Sequence, residues 1–400
     1  MKRIILFALV FSAFALTAAP CLWAAEFGAL ITGEYDAGET EQFGSVILAP
    51  WISMPFTGSE LYVCAGLNMS FGDKFICAPE IFRLDFSSAL TLDNALLSLR
   101  IGRFNWQDTS GFTAKGSFDG AELIVSTGKI RLGINGLYTG FLFKDTSDIN
   151  TSPADTKDYS AHFDPADFGN TYFAPRRLVT SLFGEFPGLP FGRGLLYASV
   201  MAQFDCSGAQ ERFHTQYLLL RHTLIHKAFD LELAGAAELE NTESDGIRPA
   251  FAVSAEAGFQ FPSAITDRFS LGCAWASGEG SATGAFFPIT REAGGFVLKP
   301  AFSGIMHIKA HYKARFLPSL LAELGGIYFL RTDSVSFIAP NLESDSYLLG
   351  MELDAGLLWV PFSDLSISAR GGVFLPETGS AWADNTPVSW HLVLGMIFSF

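Results

Sequence analysis

Long apolar runs and charged residues are both scarce in this chain. After residue 25 there is no run of 18 uninterrupted apolar residues, which excludes membrane-spanning helices. Charged residues form only 17% of the sequence, whereas hydrophobic residues form 49%, and phenylalanine and glycine number 39 each. Such a composition is typical of a protein of many strands that carries aromatic girdles at two membrane interfaces.

Basic residues are few as well. Without Lys2 and Arg3, which removal of a leader peptide would take away, 24 basic residues stand against 41 acidic ones, and the net charge is −17. This balance argues against nucleic acid as a partner. The acidic residues crowd the predicted loops, and we interpret them as a solvated surface because no spaced motif for a divalent cation is present. We predict no metal site and no cofactor.

Cysteines are also few, and none has the CxxC spacing of metal or redox sites. Beyond the leader they stand at positions 64, 77, 206 and 273. In an exported chain, Cys64 could pair with Cys77. A turn at Gly72 and Asp73 would instead set Cys77 opposite Asn68, so we assign no disulfide.

Catalytic signatures are absent too. The sequence has no HExxH, no G-x-S-x-G and no phosphate-binding P-loop. Barrel enzymes of the outer membrane use Ser/His or Asp/His sites at the rim, and His162, His214, His222 or His226 could in principle serve. Nothing in the neighbouring sequence activates these histidines. An enzyme is therefore the least favoured class of function.

The first 25 residues are predicted to be a secretory signal peptide. Residues 1–3 supply a short positive region, and residues 4–19 supply an apolar core that is too short for a stable span. Cleavage is expected near Ala24 or Ala25. Cys21 would instead indicate a lipoprotein, but Pro20 stands where a lipidation signal needs a small residue.

Residues 26–400 are predicted to form one domain, because segments of alternating polarity recur throughout. Each is about 9–12 residues long, the length that a tilted strand needs to cross a membrane. Eighteen segments are recognised, with sixteen as the alternative count: 27–35, 45–56, 60–71, 75–86, 95–104, 119–127, 130–142, 178–187, 195–205, 213–223, 229–239, 250–261, 268–276, 303–316, 321–331, 347–360, 365–375 and 390–400. The predicted fold is an all-β, antiparallel, up-and-down transmembrane barrel.

The last segment, Trp390–Phe400, shows the alternation most plainly. Its even positions are all large and apolar, whereas its odd positions include His391, Gly395 and Ser399. Lipid covers the apolar face if the strand closes a barrel; the alternative is an ordinary buried strand. An aromatic end after alternating hydrophobes resembles the signal that outer-membrane barrel assembly machinery recognises. We therefore predict a bacterial outer-membrane location, with this machinery, outer-membrane lipid and a lipopolysaccharide-like surface as partners.

The connections between segments support the same fold independently. The five longest all follow odd-numbered segments: 105–118, 143–177, 277–302, 332–346 and 376–389. Connections after even-numbered segments are short. Bacterial barrels with both termini in the periplasm have long outer loops and short periplasmic turns. The loops at 143–177 and 277–302 are long enough to fold inward and narrow the barrel.

The segment from Met306 to Phe316 is the most informative about the barrel interior. Its even positions can face lipid, so five cationic or titratable residues point into the lumen: His307, Lys309, His311, Lys313 and Arg315. We call these five residues the basic row. A charged side chain facing lipid at the midplane would cost about 2–4 kcal/mol. Neighbouring charges of one sign repel one another and must be offset.

Two interpretations of the basic row remain open. In the first, the row pairs with carboxylates on other strands, and the parity test selects Glu232, Glu238, Glu256, Glu323, Glu352 and Asp354. In the second, the row is a track for an anionic solute. The same test places five arginines in the lumen: Arg83, Arg100, Arg131, Arg331 and Arg370. Arg103 would need a β-bulge after Ile101 to face inward.

Several short motifs resemble the alginate-export-type porins of the outer membrane. The early ones are Gly102-Arg103-Phe104 and Phe118-Asp119-Gly120-Ala121-Glu122-Leu123. The later ones are Leu349-Gly350-Met351-Glu352-Leu353-Asp354, Pro361-Phe362-Ser363-Asp364-Leu365 and Gly371-Gly372-Val373-Phe374-Leu375-Pro376. The resemblance implies an eighteen-stranded monomeric barrel whose charged lumen passes anionic sugars or other small anions, with the carboxylates of the first later motif pointing inward.

The sequence thus favours a monomeric channel for passive diffusion of small hydrophilic solutes, with anions or acidic sugars preferred. Its predicted pore lining comprises the basic row, Arg100, Arg131, Arg331, Arg370, Glu256, Glu323, Glu352 and Asp354. The alternative is a closed structural or surface-interaction barrel whose acidic extracellular loops bind a partner. An outer-membrane enzyme is the third and most distant reading.

Overall fold

The structure is a computed structural model. It describes residues 25–39, 42–72, 74–151, 155, 163–189, 194–207, 213–242, 246–280, 283–291, 294–336, 341 and 344–400. The predicted signal peptide and His162 lie outside the described residues, apart from residue 25.

The described residues form eighteen antiparallel strands in one sheet. The strands are β1 Glu26–Gly38, β2 Gln42–Phe56, β3 Ser59–Phe71, β4 Phe75–Leu92, β5 Ala95–Gln107, β6 Lys115–Thr127, β7 Arg131–Tyr138, β8 Arg177–Pro187, β9 Leu195–Asp205, β10 Phe213–His226, β11 Phe229–Thr242, β12 Gly246–Gln260, β13 Thr266–Ala276, β14 Ile305–Leu317, β15 Leu320–Arg331, β16 Leu348–Phe362, β17 Leu365–Pro376 and β18 Ser389–Ser399. The predicted all-β barrel of eighteen strands is confirmed, and the alternative count of sixteen is wrong.

The C-terminal strand closes the barrel. β18 pairs with β17 on one side and with β1 on the other, from Leu30 opposite Ser399 to Gly38 opposite His391. The main chain of Phe400 extends the closure through two hydrogen bonds with Ala29, at 2.9 and 3.2 Å. Closure pairs both edges of β18, so the C-terminal strand leaves no unpaired edge toward hydrocarbon, which a lipid-facing strand cannot tolerate.

The outer face of the wall is apolar and carries aromatic residues at both ends. Exposed aromatic side chains near the end with the short turns include Phe229, Phe269, Phe316, Trp359 and Phe398. Those near the opposite end include Tyr35, Phe71, Phe75, Phe204 and Trp390. Two such girdles are what the membrane–water interfaces select in an outer-membrane barrel.

The connections differ in length between the two ends, as the sequence predicts. Four long loops span 139–176, 277–304, 332–347 and 377–388, and each follows an odd-numbered strand. The fifth connection predicted to be long, after β5, has only seven residues, 108–114, the same length as the β8–β9 connection at 188–194. Turns at the other end, where Glu26 and Ser399 also lie, are as short as two residues. A 3-10 turn at Pro165–Asp167 and a four-residue helix, α1 at Phe168–Thr171, lie in the β7–β8 loop. No helix in the described part of the chain has the length and hydropathy needed to span a membrane.

Three loops fold into the lumen and interlock there. They are the β5–β6 loop (108–114), the β7–β8 loop (139–176) and the β13–β14 loop (277–304). The main chain of Ile289 donates to Thr113 at 2.6 Å and accepts from Asn150 at 2.8 Å, so one residue joins all three loops. Both of the loops that the sequence marks as long enough to enter the barrel therefore do so.

An apolar cluster packs these loops against the wall. Phe286, Ile289 and Phe302 of the β13–β14 loop are buried among lumen-facing side chains of the strands. The ring of Phe112, from the β5–β6 loop, lies 5.3 Å from that of Phe302 and 6.1 Å from that of Phe286. Burial of these rings removes apolar surface from the water inside the barrel and holds the loops in place.

The wall is incomplete between β4 and β5. The pairing of these two strands ends at Leu84 opposite Arg103. Residues 75–83 pair with β3 on one side but have no main-chain pairing with β5 on the other. Side chains bridge this gap, which we call the wall notch. Arg103 donates to the main-chain oxygen of Ile81 at 2.7 Å, and Tyr172 of the β7–β8 loop donates to that of Pro79 at 2.7 Å.

Arg103 belongs to the wall notch and lines a cavity of about 180 Å³ together with residues of the β7–β8 loop such as Phe143 and Thr146. β5 pairs with β6 without a register shift along its whole length, so a bulge after Ile101 does not form in this pairing. Arg103 therefore has the parity opposite to the lumen-facing Phe104. Its guanidinium binds the carboxylate of Asp119 at 2.8 Å and donates to the main-chain oxygen of Phe141 at 2.8 Å.

Candidate pore lining and constriction

The basic row lies on β14 between two strands that carry carboxylates. Lys309 Nζ is 2.8 Å from Glu256 Oε2 on β12, and Lys313 Nζ is 2.7 Å from Glu323 Oε1 on β15. His311 Nε2 lies 3.6 Å from the same Glu323 carboxylate. The geometry corresponds to the first interpretation, in which the row pairs with acids across the strands. Within the described residues, no carboxylate lies within ion-pair distance of Arg315.

The fifth member of the basic row, His307, is buried beneath the β13–β14 loop. Its ring centroid lies 6.0 Å from that of Phe302 and 6.1 Å from that of Phe329. Its Nδ1 atom has no hydrogen-bond partner among the described atoms. The site is apolar on both sides, so His307 contributes packing here and makes no visible contact with a passage.

Ion pairs also surround the rest of the lumen. N–O distances of 2.5–3.2 Å join the pairs Arg83–Asp85, Arg100–Asp85, Arg131–Glu185, Arg221–Glu232, Arg268–Asp230, Arg268–Glu256 and Arg370–Asp354. Predicted lumen residues Arg100, Arg131 and Arg370 all take part, with side chains that are 30–49% exposed. Partly exposed pairs of this kind contribute little to stability but set the local field in the lumen.

Two of these arginines, Arg221 and Arg268, were missed by the sequence reasoning, although the parity test could have found them. Arg221 follows Leu218 and Leu220, which are exposed on the lipid side. Arg268 precedes Phe269, which is exposed on the same side. Both arginines therefore have the parity of the lumen.

Two predicted pore-lining residues hold loops instead of facing open space. Arg331 is 3% exposed and donates to the main-chain oxygens of Ser344 and Ser346, at 2.5 and 2.7 Å. Glu352 is fully buried, and its carboxylate accepts hydrogen bonds from main-chain N–H groups of the β13–β14 loop. The parity of both residues is inward, but loops cover them.

An open passage remains beside the β5–β6 wall. A cavity of about 570 Å³ is lined by the β5 residues Asn105, Trp106 and Gln107 and by loop residues that include Thr290 and Arg291. The same three β5 residues line a second cavity of about 320 Å³ on the turn side.

A third cavity extends this series to the end of the barrel. It measures about 440 Å³, shares Arg100, Glu122 and Arg131 with the second cavity and reaches Gly58 in the β2–β3 turn. The shared linings show that the cavities adjoin one another from the loop half of the lumen to the turn end. We call this series of adjoining cavities the polar route.

The part of this route that the inward-folded loops narrow carries charges of both signs. Lys115, Asp148 and Arg291 line the first cavity, where the main-chain N–H of Arg291 donates to the oxygen of Asp148 at 2.6 Å. Burial raises the pKa of the Asp148 carboxyl, and the nearby Arg291 and Lys115 oppose that shift. These residues lie in or beside loops that have no periodic pattern, so sequence reasoning had no signal for them.

A buried carboxylate shapes the β5–β6 loop at the edge of the route. Asp108 is 4% exposed and accepts main-chain hydrogen bonds from Ser110, Gly111, Thr113 and Ala114 at 2.6–3.1 Å. One side chain thus satisfies most donors of a seven-residue loop. The loop can then present Phe112 to the apolar cluster and Thr113 to the β13–β14 loop.

A closed wall of eighteen strands, an apolar outer face, loops folded into the lumen and a polar passage together define the fold of a bacterial outer-membrane porin. Solved structures of Pseudomonas aeruginosa porins share this fold. OccK11 (OpdR) and OccK5 (OpdH) each align with a TM-score of 0.58 and 14% identity over 94% of this chain, covering 96% and 98% of theirs. OccK2 (OpdF), solved in complex with glucuronate, aligns with a TM-score of 0.54 and 12% identity over 94% of this chain and 98% of its own.

At such identities the likeness shows the fold. No protein-family model matches the chain, and no curated protein matches it. The comparisons do not support the resemblance to alginate-export-type porins. The fold and the outer-membrane location that the sequence predicts agree with the solved structures.

Proposed function

We propose that this protein is a passive diffusion channel of the bacterial outer membrane for small hydrophilic solutes. The observation that carries the proposal is the series of polar cavities that share lining residues from the loop half to the turn end. Diffusion through such a route needs a polar lining and a constriction that binds solutes weakly enough to release them.

The solutes favoured by this lining are small anions, acidic sugars among them. Five cationic side chains line the route, Lys115, Arg291, Arg100, Arg131 and Arg221, and they balance the five acidic side chains Asp148, Asp108, Glu122, Glu185 and Glu60. The route therefore lacks the acidic excess of the whole chain, whose net charge is −15. Trp106 offers an aromatic surface at the junction of two cavities. The glucuronate complex of OccK2, a barrel of the same fold, is consistent with this class of solute.

Planar-bilayer recording of the refolded full-length barrel tests the channel. We expect stepwise ohmic conductance, and we expect glucuronate on one side to reduce the ion current more than an equal concentration of an uncharged methyl glucoside. Equal block by both sugars would contradict the preference for acidic solutes and leave a general porin. A bilayer that stays sealed despite correctly folded barrel would overturn the channel itself.

A sealed bilayer would favour the alternative function, a closed structural or surface-interaction barrel. One observation favours it: the apolar cluster fills much of the lumen in the loop half. Porins are not enzymes, and we propose no catalytic role. A monomeric state, assembly by the outer-membrane barrel machinery and contact with a lipopolysaccharide-like surface stay predictions of this proposal.

A further inference from the structure

Part of the β13–β14 loop lies inside the lumen between two contacts with the wall. We call its described residues 286–291 and 294–298 the lumen arm. The arm carries Thr290 and Arg291, which line the narrow part of the polar route. Whatever fixes the two ends of the arm therefore fixes these side chains in the passage.

In the first contact, two buried side chains form hydrogen bonds with the main chain of Phe287. Its N–H donates to Glu238 Oε2 at 2.8 Å, and its carbonyl oxygen accepts from the Tyr217 hydroxyl at 2.6 Å. Tyr217 and Glu238 stand directly opposite each other on β10 and β11, and both are at least 98% buried. The ring of Phe287 also lies 4.6 Å from that of Phe213.

The second contact is a nest of main-chain N–H groups around one carboxylate. Glu352 on β16 accepts from Phe296 at 2.6 Å and from Val297 and Leu298 at 3.0 Å each. A Cβ at Gly295 would lie 2.7 Å from the Glu352 carboxylate, so glycine permits this close approach. Three successive N–H groups that point at one anion form a recognised anion-binding arrangement.

Both carboxyl groups are buried on a wall where many other acids pair with arginine or lysine. Removing a carboxylate from water is costly unless hydrogen bonds to the charged form replace the lost solvation. Here the replacement comes from main-chain N–H groups of the arm. Docking of the arm thus supplies hydrogen-bond donors to both buried carboxyl groups, and neither residue is available as a counter-ion for the basic row.

We propose that Glu238, Tyr217 and Glu352 are positioning residues that hold the lumen arm inside the barrel and thereby set the width and charge of the passage. The proposal rests on the proposed channel function. Loss of a hydrogen bond to a charged group shifts the balance between the docked and released arm by about tenfold or more. Release withdraws Arg291 from the passage and widens it.

The test uses the full-length refolded barrel with Glu352→Gln, Glu238→Gln and Tyr217→Phe. The E352Q change would turn an amide group toward main-chain donors, whereas the Tyr217 variant keeps the ring and all charges. We expect amide hydrogen exchange in residues 294–304 to rise about tenfold or more in E352Q, with larger and noisier single-channel conductance in all three variants. Asp93→Asn, which also removes one negative charge but lies exposed in the β4–β5 turn, serves as the control and should leave both readouts unchanged.

A double substitution separates positioning from a general loss of structure. If Glu238 acts through Arg291, the change in anion preference caused by E238Q should disappear in an R291Q background, where conductance still rises. Unchanged exchange and unchanged ion preference in correctly folded E352Q and E238Q would overturn the proposal. A wild-type barrel that does not conduct would defeat the channel function, while exchange would still decide whether the two contacts hold the arm.

Discussion

At the scale of single residues, the lumen cations differ in what surrounds them. Lys309 and Lys313 are each within 2.8 Å of a carboxylate, Glu256 on β12 and Glu323 on β15 respectively. Lys115 and Arg291 line the cavity beside the inward-folded loops, together with Asp148. A charge acts most strongly on a passing ion where the passage is narrow and water is scarce.

We therefore expect Lys115→Gln with Arg291→Gln to lower the anion-to-cation permeability ratio by about fivefold, the effect of about 1 kcal/mol at contact distance. Reversal potentials in a salt gradient measure the ratio. Lys309→Gln with Lys313→Gln makes the same change of charge away from the constriction and should have a smaller effect. A larger effect of that second pair would return solute selection to the basic row.

Tyr172 in the β7–β8 loop predicts a pH response outside the membrane-spanning strands. Burial raises its pKa to about 12, and the carboxylate of Glu80 adds to the shift. An unfolded tyrosine ionises near 10. The docked loop therefore keeps its full stability below about pH 10 and loses stability as the pH rises toward 12, because ionisation removes the proton donated to Pro79.

An alkaline titration measures the ionisation of the Tyr172 hydroxyl. The signal is the difference in ultraviolet absorbance between wild type and Tyr172→Phe. We expect the difference to develop near pH 12. A difference that develops at the ordinary tyrosine pKa near 10 would mean that the loop is not docked on β4. The phenylalanine variant keeps the ring, so the aromatic contacts remain as an internal control.

At the scale of elements, the wall notch replaces strand pairing with side-chain hydrogen bonds. Arg103 is the central bridge, with 7% of its side chain exposed, and Asp119 is its charged partner. Removing one member of a buried ion pair typically costs about 3–5 kcal/mol, because the other charge stays buried without compensation.

Arg103→Met should therefore destabilise the folded barrel by about 3–5 kcal/mol, measured as a lower denaturant concentration for loss of the heat-modifiable folded band. The double variant Arg103→Met with Asp119→Asn removes both charges and should recover part of the loss. Additive losses in the double variant would show that the ion pair does not bridge the notch.

The strands were predictable from sequence because lipid allows only one parity for polar residues, and that constraint acts at every second position. It located all eighteen strands and the closing role of Trp390–Phe400. The pairing register between neighbouring strands was predicted less accurately than the strands themselves. Cys77 lies opposite Met69 and not Asn68, because the β3–β4 connection has three residues and not two.

The loops were not predictable in the same way. Their conformation depends on contacts with distant wall residues, such as Glu238 with Phe287 or Glu352 with Val297, and no local pattern records such contacts. Parity identified Glu352 as inward-facing, but only the fold shows that a loop covers it. The cavity-lining residues Lys115, Asp148 and Arg291 were not predicted for the same reason.

At the scale of the whole molecule, the balance of charge differs between the chain and its passage. The full sequence has a net charge of −15, yet cationic and acidic side chains are equal in number along the polar route. Screening by salt acts over about 10 Å at 0.1 M and about 3 Å at 1 M. Only charges very close to a solute keep their influence at high salt.

The anion-to-cation permeability ratio of the channel should therefore be greatest near 0.1 M salt and approach one near 1 M. We expect its excess over one to fall by roughly the ratio of these two screening lengths. Reversal potentials at two mean salt concentrations with a fixed gradient give the comparison. A preference that does not change with salt would point to selection by size. Cation preference at low salt would mean that the acidic exterior, and not the route, dominates the field.

The wall notch also sets an order of events during assembly. The contacts that seal it join residues 22 positions apart, for Arg103 with Ile81, and 93 positions apart, for Tyr172 with Pro79. Neighbouring hairpins form from local contacts, but the second seal needs β5 to β7 in place and the next loop turned back onto β4. Distant contacts of this kind form late because the intervening chain must first be ordered. The β4 edge therefore stays open until the middle of the barrel has formed.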